Sequence, residues 1–324
     1  KGGAPGYALH EGNLKAAIAH MQASGLNAPW AMNDWTEHNV FPPQGALQAG
    51  GKMDFNAFDE WAALWPDAKY YMVYCGTHWG LVGKEWGKPD PEVQRQFGER
   101  LKVWAEHLRS RGIAPSRVAL LLVDETDGGD GDAITLACAE TIKAAVPEFM
   151  LYIDPGHGPG QFQDPVTLRM FALMDIITPG CSFVWGAPWG PAHIEFYDQW
   201  HRQGKIMGYY SCAQNAAEAD AIGYYRMQQW HCWKINGGGP HSWSGFWAYS
   251  DVRGNNPWNQ LDSGRDKNWS PVYIDSKSVT DSKHWLAIFE GQQDYEYLLM
   301  LKRRVEALEK AGRKDPNVIA SRRV

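Results

Sequence analysis

The sequence lacks any long apolar run, and no stretch approaches the roughly 20 apolar residues that a membrane-spanning helix needs. It also lacks blocks of like charge, because 31 Lys and Arg residues are scattered among 37 Asp and Glu residues, for a net charge of −6. Proteins that bind nucleic acid or anionic membranes usually carry a basic patch. We therefore expect no nucleic-acid partner and no membrane span, and the sequence makes no prediction about the oligomeric state.

Motifs for metal ions and nucleotides are also missing. The sequence contains no HExxH, no HxH and no CxxC, so the usual spacings of metal ligands are absent. No Walker loop or GxGxxG follows an early predicted strand. We therefore predict no metal and no cofactor. The cysteines are five in number and widely spaced, and we expect mostly buried thiols rather than a disulfide framework: Cys75, Cys138, Cys181, Cys212 and Cys232.

Aromatic side chains are present in excess, with 17 Trp, 14 Tyr and 11 Phe residues. Many such side chains pack in a core, but the apolar faces of sugar rings also stack on flat aromatic surfaces. We therefore expect a carbohydrate partner.

Short apolar segments alternate with amphipathic segments along the chain, which is the pattern of βα units. The candidate strands recur roughly every 36 residues, slightly more than the minimum of about 30 for one βαβ unit. We predict one domain, residues 1–324, that folds as a (β/α)8 TIM barrel; an open doubly wound sheet is the alternative. The predicted strands are Asn27–Asn33, Lys69–Cys75, Arg117–Glu125, Phe149–Asp154, Asp175–Pro179, Lys205–Cys212 and Gly245–Ser250. The predicted helices are Glu11–Ser24, Phe55–Trp65, Pro91–Arg111, Asp132–Ala145, Pro165–Leu173, His193–Gln203, Ala216–Trp233 and Asp281–Glu309.

Two regions depart from this regular alternation. The first strand of the barrel is either truncated or reduced to Tyr7–His10, and a start at Lys1 without Met predicts a processed or truncated amino terminus. The stretch 237–272 is rich in Gly, Pro, Asn, Ser and Trp. Part of it is the predicted strand Gly245–Ser250. Because long irregular loops are usually functional or disordered, we predict that the rest forms a loop over the mouth of the barrel.

The strongest candidate site lies at the end of one predicted strand. The apolar run Val118–Val123 is followed directly by Asp124 and Glu125. In a barrel, the carboxyl ends of the strands face the mouth where reactions occur. A solvated strand end or a helix cap is the structural alternative for these two carboxylates.

Adjacent carboxylates suit one variant of glycoside hydrolysis. The usual pair must flank the sugar about 5–10 Å apart, which consecutive residues reach only awkwardly. In the substrate-assisted variant, the 2-acetamido group of the sugar attacks the anomeric carbon instead. Asp124 would then orient that amide, and Glu125, with its longer reach, would protonate the leaving oxygen and later activate water.

Segments far downstream resemble a known family. They read YRMQQWHCWKINGGG from Tyr225, GFWAYSD from Gly245 and EGQQDYEYLLML from Glu290. With the Asp-Glu dyad, they resemble the catalytic region of glycoside hydrolase family 123. The resemblance covers the dyad strand and most of the second half of the chain. It implies a retaining, exo-acting β-N-acetylgalactosaminidase or related hexosaminidase, in which Asp124 orients the acetamido group and Glu125 is the acid/base.

The resemblance carries further expectations and two departures. It implies secretion or a periplasmic location and an upstream β-sandwich that this chain lacks. Family members often have Pro after the dyad and Arg before the Glu-Gly of the last helix, where this chain has Thr126 and Phe289. We expect Asp294 and Glu296 to hold the last helix to the barrel through salt bridges or hydrogen bonds.

Further side chains in or just after the predicted strands are candidates for sugar binding. Aromatic rings there could stack on the sugar or hydrogen-bond to it, a Tyr hydroxyl could support the acetamido carbonyl, and a neutral imidazole could bind hydroxyls. For each aromatic the alternative is a place in the core, and for each histidine a solvent-facing loop. The predicted substrate-binding residues are Asn33, Tyr74, His78, His157, Trp185, Tyr209, Tyr210, Trp247 and Tyr249.

Three other functions compete with this interpretation. The first is a metal-dependent hydrolase whose ligands would be Asp124, Glu125, Asp154 and His157. The second is a carbohydrate-binding barrel without turnover, because fold does not decide function. The third is a glycosidase for sugars without an acetamido group, with Asp154 or Asp251 as its nucleophile.

Overall fold

A computed structural model describes residues 12–32, 41–43, 53–75, 90–180, 190–211, 219–236, 242–246, 271–275 and 277–322. The chain divides into two compact units. Residues 25–206 form one unit, named here the dyad unit because it contains Asp124 and Glu125. Residues 1–24 and 207–324 form the other, named here the terminal unit. The prediction of one domain over the whole chain stays a prediction.

Most described helices and strands lie at the predicted places. The helices, numbered in chain order, are α1 (Leu14–Ala23), α2 (Asn56–Ala63), α3 (Pro91–Ser110), α4 (Gly129–Ala145), α5 (Pro165–Leu173), α6 (Gly190–Arg202), α7 (Met227–Asn236), α8 (Lys283–Lys310) and α9 (Pro316–Ser321). The strands are β1 (Trp30–Met32), β2 (Tyr71–Tyr74), β3 (Val118–Leu121), β4 (Met150–Ile153), β5 (Ile176–Ile177), β6 (Ile206–Ser211), β7 (Ser242–Phe246), β8 (Val272–Ile274) and β9 (Val279–Asp281).

The dyad unit is built on a parallel sheet. Strands β1 to β5 pair in sequence order, each parallel to the next. Tyr74 pairs with Leu121, which pairs with Tyr152, so one row of residues crosses the sheet just before the strands end. The carboxyl ends therefore meet at one edge. Consecutive parallel βα units are the architecture of a (β/α)8 barrel, and the predicted fold class is confirmed.

Local sequence explains where two helices of this unit begin. Asp90 caps α3 by accepting from the main-chain N–H groups of Glu92 and Val93, and Asp164 caps α5 in the same way. In each helix Pro occupies the first turn, where its missing N–H costs nothing. The predicted bounds of α5, residues 165–173, are therefore those observed.

The core of the dyad unit is apolar and aromatic. The run from Val118 to Val123 is buried throughout, as expected for a strand with both faces covered. Trp104 of α3 is fully buried and stacks on Phe149 with 5.1 Å between ring centroids. Burying a ring of this size stabilises the fold by about 2–3 kcal/mol.

The terminal unit contains the last strands and the long helix. Strand β6, which begins at the last residue of the dyad unit, pairs in parallel with β7. Strands β8 and β9 form an antiparallel hairpin that the sequence analysis does not predict. Asp275 shapes its turn by accepting from the main-chain N–H groups of Lys277 and Ser278, 2.7 Å each. These hydrogen bonds, led by that of the Ser278 hydroxyl, lower the pKa of Asp275.

Helix α8 is held by Asp294, one of the two residues expected to do so. The Arg226 side chain donates to both carboxylate oxygens of Asp294, at 2.7 and 2.9 Å, and Trp230 donates to the same carboxylate at 2.9 Å. These contacts lower the pKa of Asp294, with the Arg226 hydrogen bond the main cause. A Cβ built on Gly291 would lie 2.6 Å from the carbonyl oxygen of Arg226. The predicted structural role of Asp294 is confirmed.

Two further predictions concern cysteines and membranes. Cys75, Cys138 and Cys232 are buried free thiols, as predicted, whereas Cys181 and Cys212 lie outside the described residues. Burial, and secondarily the neighbouring Cys138, raises the pKa of Cys75 well above its usual value. No helix in the described part of the chain is long and apolar enough to cross a membrane.

Candidate active site

The dyad lies just beyond the carboxyl end of β3. The strand ends at Leu121, the chain stays buried through Leu122 and Val123, and then Asp124 and Glu125 are exposed. The abrupt change from apolar to acidic residues coincides with the point where the chain leaves the sheet. Two carboxylates are therefore presented at the edge where barrel enzymes carry their chemistry.

Glu125 has an unusual backbone conformation. Its φ is +47°, and among the described residues it is the only non-glycine residue with a positive φ. For an L-residue this left-handed conformation costs on the order of 1 kcal/mol, and it persists only where the surroundings enforce it. Such strain is concentrated at functional sites.

The segment after β4 holds the dyad loop from below. The Glu125 main-chain N–H donates to the Asp154 carboxylate at 3.1 Å. Two residues on, the Gly156 N–H donates to the Thr126 carbonyl at 2.8 Å. Hydrogen bonds thus hold the peptide group before Glu125 and the peptide group after Thr126.

Asp154 is a buried acid next to an exposed one. Its side chain is only 5% exposed. Burial raises the pKa of Asp154 well above its ordinary value, and so do the negative charge of Asp124 and a hydrogen bond shared with it, while the Glu125 N–H acts in the opposite direction. The two neighbouring carboxyls do not ionise independently, because two like charges at close range oppose each other. Asp154 therefore keeps its proton to higher pH than an ordinary aspartate does.

A buried phenol lies beneath these acids. Tyr152 of β4 is 4% exposed, and its oxygen accepts a hydrogen bond from the Thr178 hydroxyl. Burial raises the pKa of Tyr152 well above its ordinary value, and the nearby charge of Asp154 adds to the rise. The Trp30 ring meets the Tyr152 ring edge-on, with centroids 5.1 Å apart. Tyr152 is thus a neutral hydrogen-bonding group near these acids.

A second buried acid stands at the start of α4. Asp132 is 1% exposed and accepts from the Thr126 hydroxyl at 2.6 Å and the Thr167 hydroxyl at 2.5 Å. The Nε2 atom of His157 lies 2.7 and 2.9 Å from its two oxygens. Burial by itself raises the pKa of Asp132, but His157 and the two hydroxyls outweigh burial and lower the pKa below its ordinary value. Through Thr126 this network reaches the residue that follows the dyad.

The structure places His157, predicted to bind sugar hydroxyls, in the interior of the dyad unit. Its side chain is fully buried, and its ring lies against Asp132 and edge-on to Phe171. The imidazole is turned into the unit by the Asp132 carboxylate rather than toward solvent. Its role is to join α4 to the loop after β4.

The predicted tyrosines fall in different surroundings. Tyr74 is the last residue of β2 and pairs with Leu121 of β3, and its side chain is buried. Tyr209 and Tyr210 are consecutive in β6 of the terminal unit, where Tyr209 is buried and Tyr210 is partly exposed. Because successive strand residues point to opposite faces, these two tyrosines lie on opposite faces of β6, and their part in sugar binding stays a prediction. Five other predicted residues lie outside the described residues: Asn33, His78, Trp185, Trp247 and Tyr249.

Asp132 was not predicted as a candidate, and Asp154 was predicted only as an alternative metal ligand or nucleophile. Asp154 ends a predicted strand, so the strand-end rule that identified the dyad applies equally to it. Asp132 carries no such signal, because its partner His157 is 25 residues away along the chain. Among the described residues, no group of three His, Cys, Asp or Glu side chains is arranged to hold a metal ion.

Comparisons with known proteins bear on the fold. No protein-family model and no curated protein matches the sequence. Solved structures of glycoside hydrolases share the fold. XacCel5A in complex with cellopentaose has a TM-score of 0.52 at 11% identity, over 88% of this chain and 90% of that chain. A second structure of XacCel5A has a TM-score of 0.50 at 10% identity, over 86% of this chain and 90% of that one.

A further neighbour has a lower structural similarity. The family 1 β-glucosidase from Thermotoga maritima has a TM-score of 0.48 at 14% identity, over 85% of each chain. At such identities the XacCel5A similarities support the barrel fold alone. The resemblance to glycoside hydrolase family 123 stays a prediction.

Proposed function

We propose that the chain is a retaining glycoside hydrolase that cleaves O-glycosidic bonds. The observation that carries the proposal is the pair of exposed carboxylates Asp124 and Glu125 at the carboxyl end of β3, in a barrel fold shared with solved glycoside hydrolases. The substrate class proposed is a terminal β-N-acetylgalactosaminide or related β-N-acetylhexosaminide, cleaved by an exo action.

The adjacent positions of the carboxylates favour substrate-assisted chemistry. The acetamido carbonyl oxygen of the substrate forms a bond to the anomeric carbon while the glycosidic C–O bond breaks. Glu125 donates its proton to the leaving oxygen, then accepts a proton from the water that opens the cyclic intermediate, so the configuration is retained. Asp124, ionised, accepts from the acetamido N–H and stabilises the positive charge that develops on the amide.

A separate nucleophile is the weaker candidate. Asp154 is 5% exposed, and its carboxyl is already engaged by the Glu125 N–H. Burial and the Asp124 carboxyl raise the pKa of Asp154, which disfavours the ionised form that a nucleophile needs. Asp251, the other candidate, lies outside the described residues.

The test compares sugars and leaving groups. The protein is incubated with aryl β-N-acetylgalactosaminide, its gluco epimer and the matching galactoside without the acetamido group. We expect turnover of acetamido sugars only, lost about 10²–10⁴-fold in Glu125→Gln, because general acid and base catalysis typically contributes that much. The loss should be larger for a poor leaving group, which needs the proton more, than for 4-nitrophenol.

Each other result points to a different function. Cleavage of the galactoside that lacks the acetamido group would move the nucleophile to another carboxylate. Turnover that survives Glu125→Gln with both leaving groups would contradict the acid/base role. Saturable sugar binding without turnover would favour a carbohydrate-binding barrel. Asp124→Asn should abolish activity toward acetamido sugars without weakening ground-state binding by the same factor, because the amide charge develops in the transition state.

A further inference from the structure

We propose that Asp154 is a positioning residue that holds Glu125 in its left-handed conformation by accepting the Glu125 main-chain N–H. The proposal rests on the proposed function, in which Glu125 is the acid/base. It assigns a role to a buried acid that does not itself touch the substrate.

The backbone conformation of Glu125 needs such a partner. A glutamate at φ +47° is in a region that L-residues rarely occupy. In this region the N–H and the side chain take directions that right-handed or extended backbone does not provide. Rotation about the N–Cα bond would swing Cβ and carry the carboxylate, at the end of its long arm, away from its present place.

Asp154 is placed and buried so that it can act as this partner. Its carboxylate oxygen lies 3.1 Å from the Glu125 nitrogen, and it is placed there by β4, which ends at Ile153. Burial at 5% exposure keeps water from replacing Asp154 as acceptor. Gly156, two residues later, fastens the Thr126 carbonyl at 2.8 Å. The residues that follow β4 therefore fix the peptide group before Glu125 and the peptide group after Thr126.

The position of the Glu125 carboxyl matters for catalysis. Acid and base work at one carboxyl requires that it reach the leaving oxygen and then the incoming water, and a displacement of about 1 Å can cost about 100-fold in rate. A group that fixes the backbone of the acid/base should therefore affect kcat. It should leave KM nearly unchanged, since it makes no contact with the bound sugar.

The test uses Asp154→Asn, which keeps a carbonyl oxygen as acceptor, and Asp154→Leu, which is close in size and has none. Crystal structures give the φ of Glu125, and kinetics with the aryl acetamido sugar give kcat and KM. In Asp154→Asn we expect a left-handed Glu125 and kcat within a factor of about three. In Asp154→Leu we expect Glu125 to leave the left-handed region and kcat to fall about 100-fold at similar KM. Asp130→Ala, an exposed aspartate of α4, is the control and should match the unmodified protein.

A left-handed Glu125 in Asp154→Leu would overturn the positioning role, and so would an equal loss of kcat in Asp154→Asn and Asp154→Leu. Should Asp154→Leu fail to fold, Asp154→Ala gives the same comparison with less bulk. Failure of the proposed function is distinguishable. An unmodified protein that turns over no glycoside would refute the glycosidase, while the φ of Glu125 in the variants still decides whether Asp154 holds it.

Discussion

Two buried aspartates in the dyad unit, Asp132 at the start of α4 and Asp154 after β4, have pKa values shifted in opposite directions. They are 1% and 5% exposed. Yet the pKa of Asp132 is lowered and that of Asp154 is raised. Asp132 faces an imidazole and two hydroxyls, whereas Asp154 faces the Asp124 carboxyl. The neighbouring groups, rather than the degree of burial, therefore decide whether the pKa of a buried acid is lowered or raised.

The largest expected effect is the loss of stability when the Asp132 carboxylate is removed. Asp132→Ala leaves the His157 ring and the hydroxyls of Thr126 and Thr167 without their shared acceptor. We expect the free energy of unfolding to fall by about 3 kcal/mol, since breaking a buried charged hydrogen-bond network is costly. Urea unfolding at neutral pH measures this loss. Asp130→Ala, in the same helical turn but exposed, should change stability by less than about 0.5 kcal/mol. Equal losses in the two variants would remove the contrast between network and surface.

The pH dependence should separate the two aspartates by sign. For Asp154, whose folded pKa is raised, the unfolded chain loses its proton first, so stability falls as pH rises from about 4 toward the folded pKa. This slope reaches at most about 1.4 kcal/mol per pH unit. Asp154→Asn cannot titrate there, and its stability should not show that fall. Unfolding curves collected from pH 3 to about 8 give the slopes, and parallel curves for the two proteins would contradict the raised pKa.

Asp132 should act at the other end of the same titration. Because its folded pKa is lowered, its contribution to stability is present above the unfolded value of about 4 and is lost as pH falls through the folded pKa. The stability difference between the unmodified protein and Asp132→Asn should therefore shrink below about pH 4. A difference that stays constant down to about pH 2 would mean that Asp132 is not the group that titrates.

The smallest effect sharpens the comparison further. Asp154→Asn at neutral pH should change the free energy of unfolding by less than about 1 kcal/mol, because an amide can accept from Glu125 and donate to Asp124 as a protonated carboxyl does. Asp132→Asn should cost more, because its NH₂ group replaces an acceptor surrounded by donors. Thermal unfolding of the two variants side by side measures this ranking, and the reverse order would show that Asp154 is ionised in the folded protein.

The sequence predicted what local chemistry controls. The end of β3 is visible as an apolar run followed by two acids, and α5 is bounded by the Asp164 cap and Pro165. The dyad is therefore found by the same reasoning that locates its strand.

What the sequence could not predict depends on contacts between distant residues. The burial of His157 follows from Asp132, which no local pattern connects to it. The left-handed φ of Glu125 depends on an acceptor 29 residues later. The β8–β9 hairpin was missed because its strands have only three residues each, too short for a clear alternation.

The absent side chain at Gly291 has a consequence for reading this chain's strongest motif. A methyl group there would lie 2.6 Å from the Arg226 carbonyl oxygen. The backbone of α8 would therefore have to move away from the backbone at Arg226, just before α7. Gly291 therefore allows the two backbones to approach closely, and Glu290 and Asp294 each form an ion pair with Arg226. Related proteins could keep these motif residues after losing or changing their catalytic activity. Shared activity is therefore better judged by the residues around Glu125.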